Sequence, residues 1–208
     1  MKKILLVFLL WIGSLNIYPQ YNVDQPMSLI EVNGVSIAYT TTGEQENTPV
    51  LMIMGLMGSH KVWGEEIVNG LVDAGYRVIL FDNRDTGESE NLDRLGKPNL
   101  YWKFAMNSLG IDFSAPYTLS DMAQDGLGIL DYLGVEEAHI VGASMGGMIA
   151  QTLAYEHPER VKSLVSIMST TGAPHLSQMS RRNEQNFRNA GEMDRERVHA
   201  YGFFPEAM

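Results

Sequence analysis

Short apolar runs alternate along the chain with longer segments in which apolar residues recur every three or four positions. An apolar run of four to eight residues bounded by turn signals is typical of a buried strand, whereas the longer period indicates a helix with one buried face. The predicted strands cover residues 28–32, 35–41, 50–54, 77–81, a run that begins at His139, and 161–168. The pattern therefore predicts strands that alternate with helices.

Three helices are predicted between these strands. The first is expected to bury a face made of Trp63, Ile67, Leu71 and Ala74, and to end at Gly75. The second begins at a capping box formed by Thr118 and Asp121. Its buried face is expected to consist of Leu119, Met122, Ala123, Gly126, Leu127, Leu130 and Leu133. The third helix follows Ser144 and stops at Pro158, because the residue before a proline disfavours helical backbone.

The first two strands are joined by Asn33-Gly34, a pair that is typical of a tight two-residue hairpin. The later strands are fully apolar and are separated by helices. Such strands are usually parallel and are covered by helices on both faces of the sheet. We therefore predict an α/β fold, with a mostly parallel sheet between two helical layers and an N-terminal β-hairpin.

Residues 1–20 are predicted to be a secretory signal peptide. The chain begins with the basic residues Lys2 and Lys3, and an unbroken apolar run covers residues 4–12. That run is too short for a comfortable membrane span, so a signal peptide explains it better. We expect a secreted or periplasmic protein, with an uncleaved N-terminal membrane anchor as the alternative.

Composition narrows the range of functions. The 208 residues are 45% hydrophobic and 19% charged, as in a single globular domain. The net charge of −10 lacks the basic footprint of a nucleic-acid-binding protein, so no nucleic-acid partner is expected. There is no cysteine, which excludes disulfides and a cysteine nucleophile. The histidines are scattered without metal-ligand spacing, and neither a metal nor a cofactor is expected.

The clearest chemical signal is Ser144, which lies between a predicted strand and a predicted helix in Gly142-Ala143-Ser144-Met145-Gly146. A sharp strand-to-helix turn forces strained backbone angles on the serine and leaves little room for neighbouring side chains. Gly142 and Gly146 relieve this crowding. The turn would present the serine hydroxyl at the positive end of the following helix.

A nucleophilic serine needs donors for the oxyanion that forms when it attacks a carbonyl group. The backbone N–H of Met145, directly after Ser144, is one candidate. The backbone N–H of Leu56 is the other, because Leu56 follows the strand 50–54 and ligands bind at the carboxyl ends of such strands. We expect these two amides to form an oxyanion hole.

At this point the sequence resembles a known family, the α/β-hydrolase-fold serine hydrolases of the esterase and lipase superfamily. The resemblance covers about residues 28–172 and is closest to the small-ester hydrolases grouped with aclacinomycin methylesterase. It rests on the hairpin and on Met54-Gly55-Leu56, Asp82-Asn83-Arg84-Asp85-Thr86-Gly87-Glu88-Ser89, Gly142-Ala143-Ser144-Met145-Gly146-Gly147 and His157-Pro158-Glu159-Arg160-Val161.

The resemblance implies that Ser144 is the nucleophile and that Leu56 and Met145 supply the oxyanion hole. It also implies a hydrolase core over residues 21–172 and the start of a helical cap over 173–208, with the last strands missing. Residues 82–89 form a loop that is usually structural, in which Asp82 and Arg84 brace neighbouring loops. The implied substrate is a small-molecule ester.

The family's catalytic acid and histidine follow the nucleophile in later strands, and neither is recognisable in the sequence. No histidine of the chain follows a strand that itself comes after a candidate acid; the histidines are His60, His139, His157, His175 and His199. Loss of the base of a serine triad costs about 10⁶ in turnover. We therefore expect the 208-residue chain to be a fragment that is nearly inactive on its own.

Two alternatives stay open. The missing acid and histidine are also compatible with a binding protein that uses this fold without catalysis. A cofactor-free haloperoxidase-like enzyme would keep the serine. Reading the gene past codon 208 separates the enzyme from the binding protein, because only the enzyme requires a continuation with the acid and the histidine.

Overall fold

The computed structural model describes residues 20–92 and 116–171. The strands are β1 (Ser28–Val32), β2 (Val35–Thr42), β3 (Thr48–Ile53), β4 (Tyr76–Phe81), β5 (Ala138–Ala143) and β6 (Val161–Ile167). They form one six-stranded sheet with the order β1-β2-β4-β3-β5-β6. The hairpin β1–β2 and the pair β2–β4 are antiparallel, and the remaining pairs are parallel. The predicted mostly parallel sheet is confirmed.

The helices are α1 (Gly64–Asp73), α2 (Leu119–Tyr132) and α3 (Met145–Glu156), and short 3-10 turns cover His60–Trp63 and Pro158–Arg160. Two separate apolar cores show that helices cover both faces of the sheet, as predicted. One core gathers residues of α1, and the other gathers residues of α2 and α3.

Strand β3 contributes side chains to both apolar cores. Its side chains alternate, as neighbouring residues of a strand must. Val50 and Met52 pack in the α1 core, whereas Leu51 and Ile53 pack in the α2–α3 core. Because both of its faces are buried, β3 contains no polar residue between Val50 and Ile53. This explains why the sequence reads there as a continuous apolar run.

The predicted turn and cap both form. Asn33 and Gly34 have φ of 51° and 73°, which a tight hairpin turn requires and which glycine and asparagine tolerate best. At the start of α2, the Thr118 side chain accepts a hydrogen bond from the Asp121 amide, and the Asp121 side chain accepts one from the Thr118 amide. Local sequence signals therefore set both features.

The predicted buried face of α1 is partly wrong. Trp63 is buried as expected, but Ile67 is 54% exposed, and the helix buries Val68 and Val72 instead. The reason is that Trp63 belongs to the preceding 3-10 turn, which has three residues per turn. A buried face that is counted in α-helical steps from Trp63 is therefore displaced by one position along α1. Leu71 still packs against the α1 core from a half-buried position.

Strand β6 lies at the edge of the described sheet and pairs with β5, as expected for residues 161–168, although it ends at Ile167. Its apolar side chains are substantially exposed, including Leu164 at 38% and Val165 at 47%. Strand β3 begins two residues earlier than predicted, at Thr48, and β4 one residue earlier, at Tyr76. Residues at these strand starts are more polar, so the apolar pattern does not mark them.

A buried ion pair joins the loop after β4 to α2. Arg84 donates two hydrogen bonds to the carboxylate of Asp125, at 2.7 and 2.6 Å, and both side chains are buried. Asn33 of the hairpin turn also donates to Asp125, at 3.2 Å. Burial lowers the pKa of Arg84, but the hydrogen bonds and charge of Asp125 outweigh it, and the net shift is upward. Arg84 is therefore charged and fixed, and it braces its loop against α2 rather than against a neighbouring loop as predicted.

Several predicted segments lie outside the described residues. These are residues 1–19 of the predicted signal peptide, the connection 93–115, and the cap-like segment 173–208. Within the described residues, no helix has the length and apolar content that crossing a membrane requires.

The buried pair predicts a large loss of stability when one partner is removed. Asp125→Ala leaves the Arg84 guanidinium buried without its carboxylate, and we expect it to lower the free energy of unfolding by about 3–5 kcal/mol. The matched control is Asp131→Ala, which removes the partner of Arg160 in an exposed pair and should cost less than about 1 kcal/mol. Urea unfolding measures both values. Equal losses would show that the buried pair has no special weight.

Candidate active site

Ser144 occupies a strained turn between β5 and α3. Its φ is 55° and its ψ is −121°, a backbone conformation that residues other than glycine rarely adopt. Its amide donates a hydrogen bond to the Ile167 carbonyl at the end of β6, at 2.9 Å. The residue is solvent-exposed in the described structure. The turn therefore holds the serine hydroxyl at the carboxyl edge of the sheet, where it can meet a ligand.

The two glycines that flank Ser144 are required by space. A Cβ atom on Gly142 would lie 2.2 Å from the Gly146 carbonyl oxygen, and one on Gly146 would lie 2.1 Å from the Ile53 carbonyl oxygen. Both obstacles are backbone atoms, which cannot move aside as a flexible side chain could. The turn and the end of β3 thus approach each other more closely than any side chain would allow.

The loop after β3 passes directly beside the serine. A Cβ atom on Gly55 would lie 2.9 Å from the Cβ atom of Ser144, so only glycine fits there. The Gly55 carbonyl accepts a hydrogen bond from the Gly58 amide at 3.2 Å, which closes a turn around Leu56 and Met57. Leu56, predicted to supply a backbone donor, therefore follows the residue that touches Ser144.

The amides of Leu56 and Met145 are both available as donors. Within the described residues, neither nitrogen donates a hydrogen bond. Met145 is the first residue of α3, where backbone N–H groups have no partner inside the helix. The first turn of α3 contains no acidic residue that would compete for these donors. Within the described residues, one unpaired amide therefore lies directly after Ser144 and another lies in the loop beside it.

The loop after β4 is hydrogen-bonded to the end of the loop that contains Leu56. Asp82 Oδ1 accepts a hydrogen bond from the His60 amide at 2.7 Å and lies 2.9 Å from the His60 ring nitrogen Nδ1. Asp82 Oδ2 accepts from the Glu88 amide at 2.9 Å. Asp82 and His60 are both fully buried. The prediction that Asp82 braces neighbouring loops is confirmed, and His60 is its structural partner.

The buried carboxylate of Asp82 also affects its surroundings. Burial, followed by the negative charge of Asp82, raises the pKa of Tyr21 to about 12. The Tyr21 hydroxyl therefore stays protonated at neutral pH. Within the described residues, neither this hydroxyl nor His60 Nε2 has a hydrogen-bond partner.

One contact in this region was not predicted. The Asn83 side chain donates a hydrogen bond of 2.7 Å to the Met54 carbonyl, the residue before Gly55. The two residues are 29 positions apart, and no local pattern signals that they meet. Asp125 was also missed as a buried ion-pair partner, because a carboxylate on a helix normally faces solvent.

The remaining histidines of the described part have other partners. His139, near the start of β5, lies 2.7 Å from Ser163, and His157, after α3, lies 2.9 Å from Gln124. His175 and His199 lie outside the described residues. In the part of the chain that the structure describes, no group of three or more acidic or histidine side chains could hold a metal ion.

The mostly parallel sheet between two helical layers and the strained serine at its carboxyl edge define an α/β protein with a sharp strand-to-helix turn at Ser144. The family model described as alpha/beta hydrolase fold matches residues 48–205. The chain belongs to the alpha/beta hydrolase fold family.

Curated relatives and solved structures agree with this assignment. The chain is 35% identical over 143 residues to the rhodomycin D methylesterase DnrP of Streptomyces peucetius, covering 69% of this chain and 42% of the relative. It is 34% identical to the rhodomycin D methylesterase DauP of Streptomyces sp. strain C5, with the same coverage. The chain thus spans about two fifths of the length of these relatives.

A solved hydrolase from Pseudomonas aeruginosa PA01 has the same architecture. It is 25% identical, and the match covers 86% of this chain and 59% of that structure, with a TM-score of 0.56.

The close approach of backbone segments at the Ser144 turn predicts that Gly142 and Gly146 cannot be replaced. Gly142→Ala and Gly146→Ala each place a Cβ atom against backbone oxygen, and we expect each to lower the free energy of unfolding by about 3 kcal/mol or more. The control is Gly70→Ala in α1, where a Cβ atom would meet nothing within 4 Å. That change should stabilise the protein by about 0.5–1 kcal/mol, since alanine favours helix. Thermal or urea unfolding measures all three variants. A loss of stability in Gly70→Ala equal to that in Gly142→Ala and Gly146→Ala would contradict the crowding at the Ser144 turn.

Proposed function

We propose that this chain carries the nucleophile and the oxyanion hole of a serine hydrolase that acts on carboxylic esters of small molecules. The observation that carries the proposal is the juxtaposition at the carboxyl edge of the sheet. There, Ser144 stands in a strained turn beside two backbone amides, those of Leu56 and Met145, that donate no hydrogen bond within the described residues. Strain of this kind is typical of functional sites.

In the proposed reaction, Ser144 Oγ attacks the ester carbonyl carbon and the carbonyl oxygen becomes an oxyanion. The amides of Leu56 and Met145 donate hydrogen bonds to this oxyanion, which is where such donors act most strongly. The serine proton passes to a general base and then to the departing alcohol, leaving an acyl group on Ser144. Water attacks this acyl-enzyme by the same route, and the acid is released.

The general base is proposed to be a histidine held by an acidic residue, and the described residues do not supply this pair. His60 is bonded to Asp82 through both its backbone and its ring, and is only 1% exposed. We therefore assign His60 to the support of the Leu56 loop. Without a base, the oxyanion hole and binding would leave roughly 10³–10⁴ of rate enhancement over water.

The side chains next to the serine favour an apolar substrate. Leu56 and Met57 are 53% and 41% exposed in the loop beside Ser144, and Met168, just after the end of β6, is 82% exposed. These side chains would contact the acyl or alcohol part of an ester. The relatives DnrP and DauP are named as methylesterases of rhodomycin D, which supports a carboxylic ester as the reacting group.

The proposal is tested with the product of the complete gene, sequenced past codon 208. We expect it to hydrolyse short p-nitrophenyl esters, and Ser144→Ala to lower turnover by about 10⁶, leaving only the roughly 10³–10⁴ over water that the oxyanion hole and binding provide. The matched control is Ser163→Ala, because Ser163 lies on β6 near its start and contacts His139. This variant should keep wild-type turnover.

Full activity in Ser144→Ala would refute the proposed nucleophile. A gene that stops at codon 208 and a product that binds esters without cleaving them would instead support the binding protein.

A further inference from the structure

We propose that Asn83 is a positioning residue for the oxyanion hole, which it serves by fixing the backbone from which the Leu56 amide projects. This inference rests on the proposed function and assigns a role to a residue that does not reach the substrate. It follows from the contact between Asn83 and the Met54 carbonyl, and from the freedom of the loop that this contact restrains.

The loop after β3 is intrinsically flexible at Gly55, directly before the proposed donor Leu56. Gly55 must be glycine because a Cβ atom would lie 2.9 Å from that of Ser144. A glycine backbone, however, has far more accessible conformations than that of any other residue. The close approach to Ser144 therefore places the most flexible kind of residue directly before the proposed donor. The direction of the Leu56 N–H must be set by contacts from outside.

Those contacts hold both peptide planes that meet at Gly55. A peptide unit is planar, so fixing its carbonyl oxygen also fixes the N–H that follows. The Met54 carbonyl is held by Asn83 at 2.7 Å, and the Gly55 carbonyl is held by the Gly58 amide at 3.2 Å. Because the peptide bond is trans, the Leu56 N–H points opposite to the Gly55 oxygen, so the bond from Gly58 fixes the direction of this N–H. The bond from Asn83 keeps the peptide plane between Met54 and Gly55 from rotating.

Within the part of the chain that the structure describes, the Asn83 side chain has one hydrogen-bond partner. It is 2% exposed, and its Nδ2 group makes one hydrogen bond, to Met54. Within the described residues its Oδ1 atom is buried without a partner. The unpaired Oδ1 atom costs free energy, a cost that the amide group bears while its Nδ2 group supplies the donor of the buried Met54 carbonyl. The amide group is best explained by the carbonyl that it holds.

The other proposed donor does not depend on Asn83. The Met145 amide begins α3 and follows the strained turn of Ser144, which is fixed by the bond from Ser144 to the Ile167 carbonyl. Loss of Asn83 should therefore disturb one donor and spare the other. A residue with a merely structural role would affect both donors or neither.

The test measures how phenylboronic acid binds to the complete gene product. The serine oxygen forms a bond to boron and releases its proton to solvent, which produces a tetrahedral anion that mimics the proposed intermediate. Titration gives the affinity, and the ¹⁵N-¹H signals of Leu56 and Met145 report each donor separately. In the wild type we expect both signals to shift.

We expect Asn83→Leu to weaken boronate binding by at least about tenfold, and by no more than the loss seen when one oxyanion donor is removed. The Leu56 signal should lose its response while the Met145 signal keeps it. The matched control is Asn69→Leu, because the Asn69 side chain also donates to a backbone carbonyl, that of Tyr21, but on α1. It should bind boronate like the wild type. Asn83→Ala replaces Asn83→Leu if the latter does not fold.

The outcomes separate the two proposals. If the wild type does not bind the boronate at Ser144, the proposed function fails. If the wild type binds and Asn83→Leu binds equally well, or if both amide signals lose their response, the positioning role of Asn83 is wrong while the proposed function stands.

Discussion

The close approach of three backbone segments around Ser144 is the constraint on which the site depends. The turn after β5, the start of α3 and the loop after β3 come so near to one another that Gly142, Gly146 and Gly55 could carry no side chain without meeting backbone or the serine itself. This approach requires β3 and β5 to be neighbours in the sheet, which they are. The crowding holds the serine in its strained conformation, since any relaxation would push one segment into another.

The same crowding explains why polar groups are buried beneath the site. Glycine relieves the contact with Ser144 but leaves the loop after β3 without stiffness of its own. The loop after β4 supplies that stiffness, because Asp82 holds the His60 end and Asn83 holds the Met54 end. Arg84 in turn ties this loop to Asp125 of α2. A chain of buried hydrogen bonds thus runs from the second helix to the loop beside the serine.

Much of the architecture was predictable because it depends on local chemistry. The period of apolar residues located every described strand and helix to within a few residues, and Asn33-Gly34 and the Thr118 cap located a turn and a helix start. The failures have identifiable physical causes. The face of α1 was misjudged at Ile67 because a 3-10 turn precedes the helix and shifts its phase. The buried Asp125 was missed because its partner lies 41 positions away.

The sequence by itself determined the order of strands and helices, the class of fold and the position of the serine turn. Each of these depends on residue spacing within one short segment. Only the tertiary structure decided which segments meet at the turn, which of its amides are unpaired within the described residues, and which polar side chains support them. The physical reason is that a hydrogen bond such as that from Asn83 to Met54 joins the loops that follow two neighbouring strands, and residue spacing within one segment does not show which strands are neighbours.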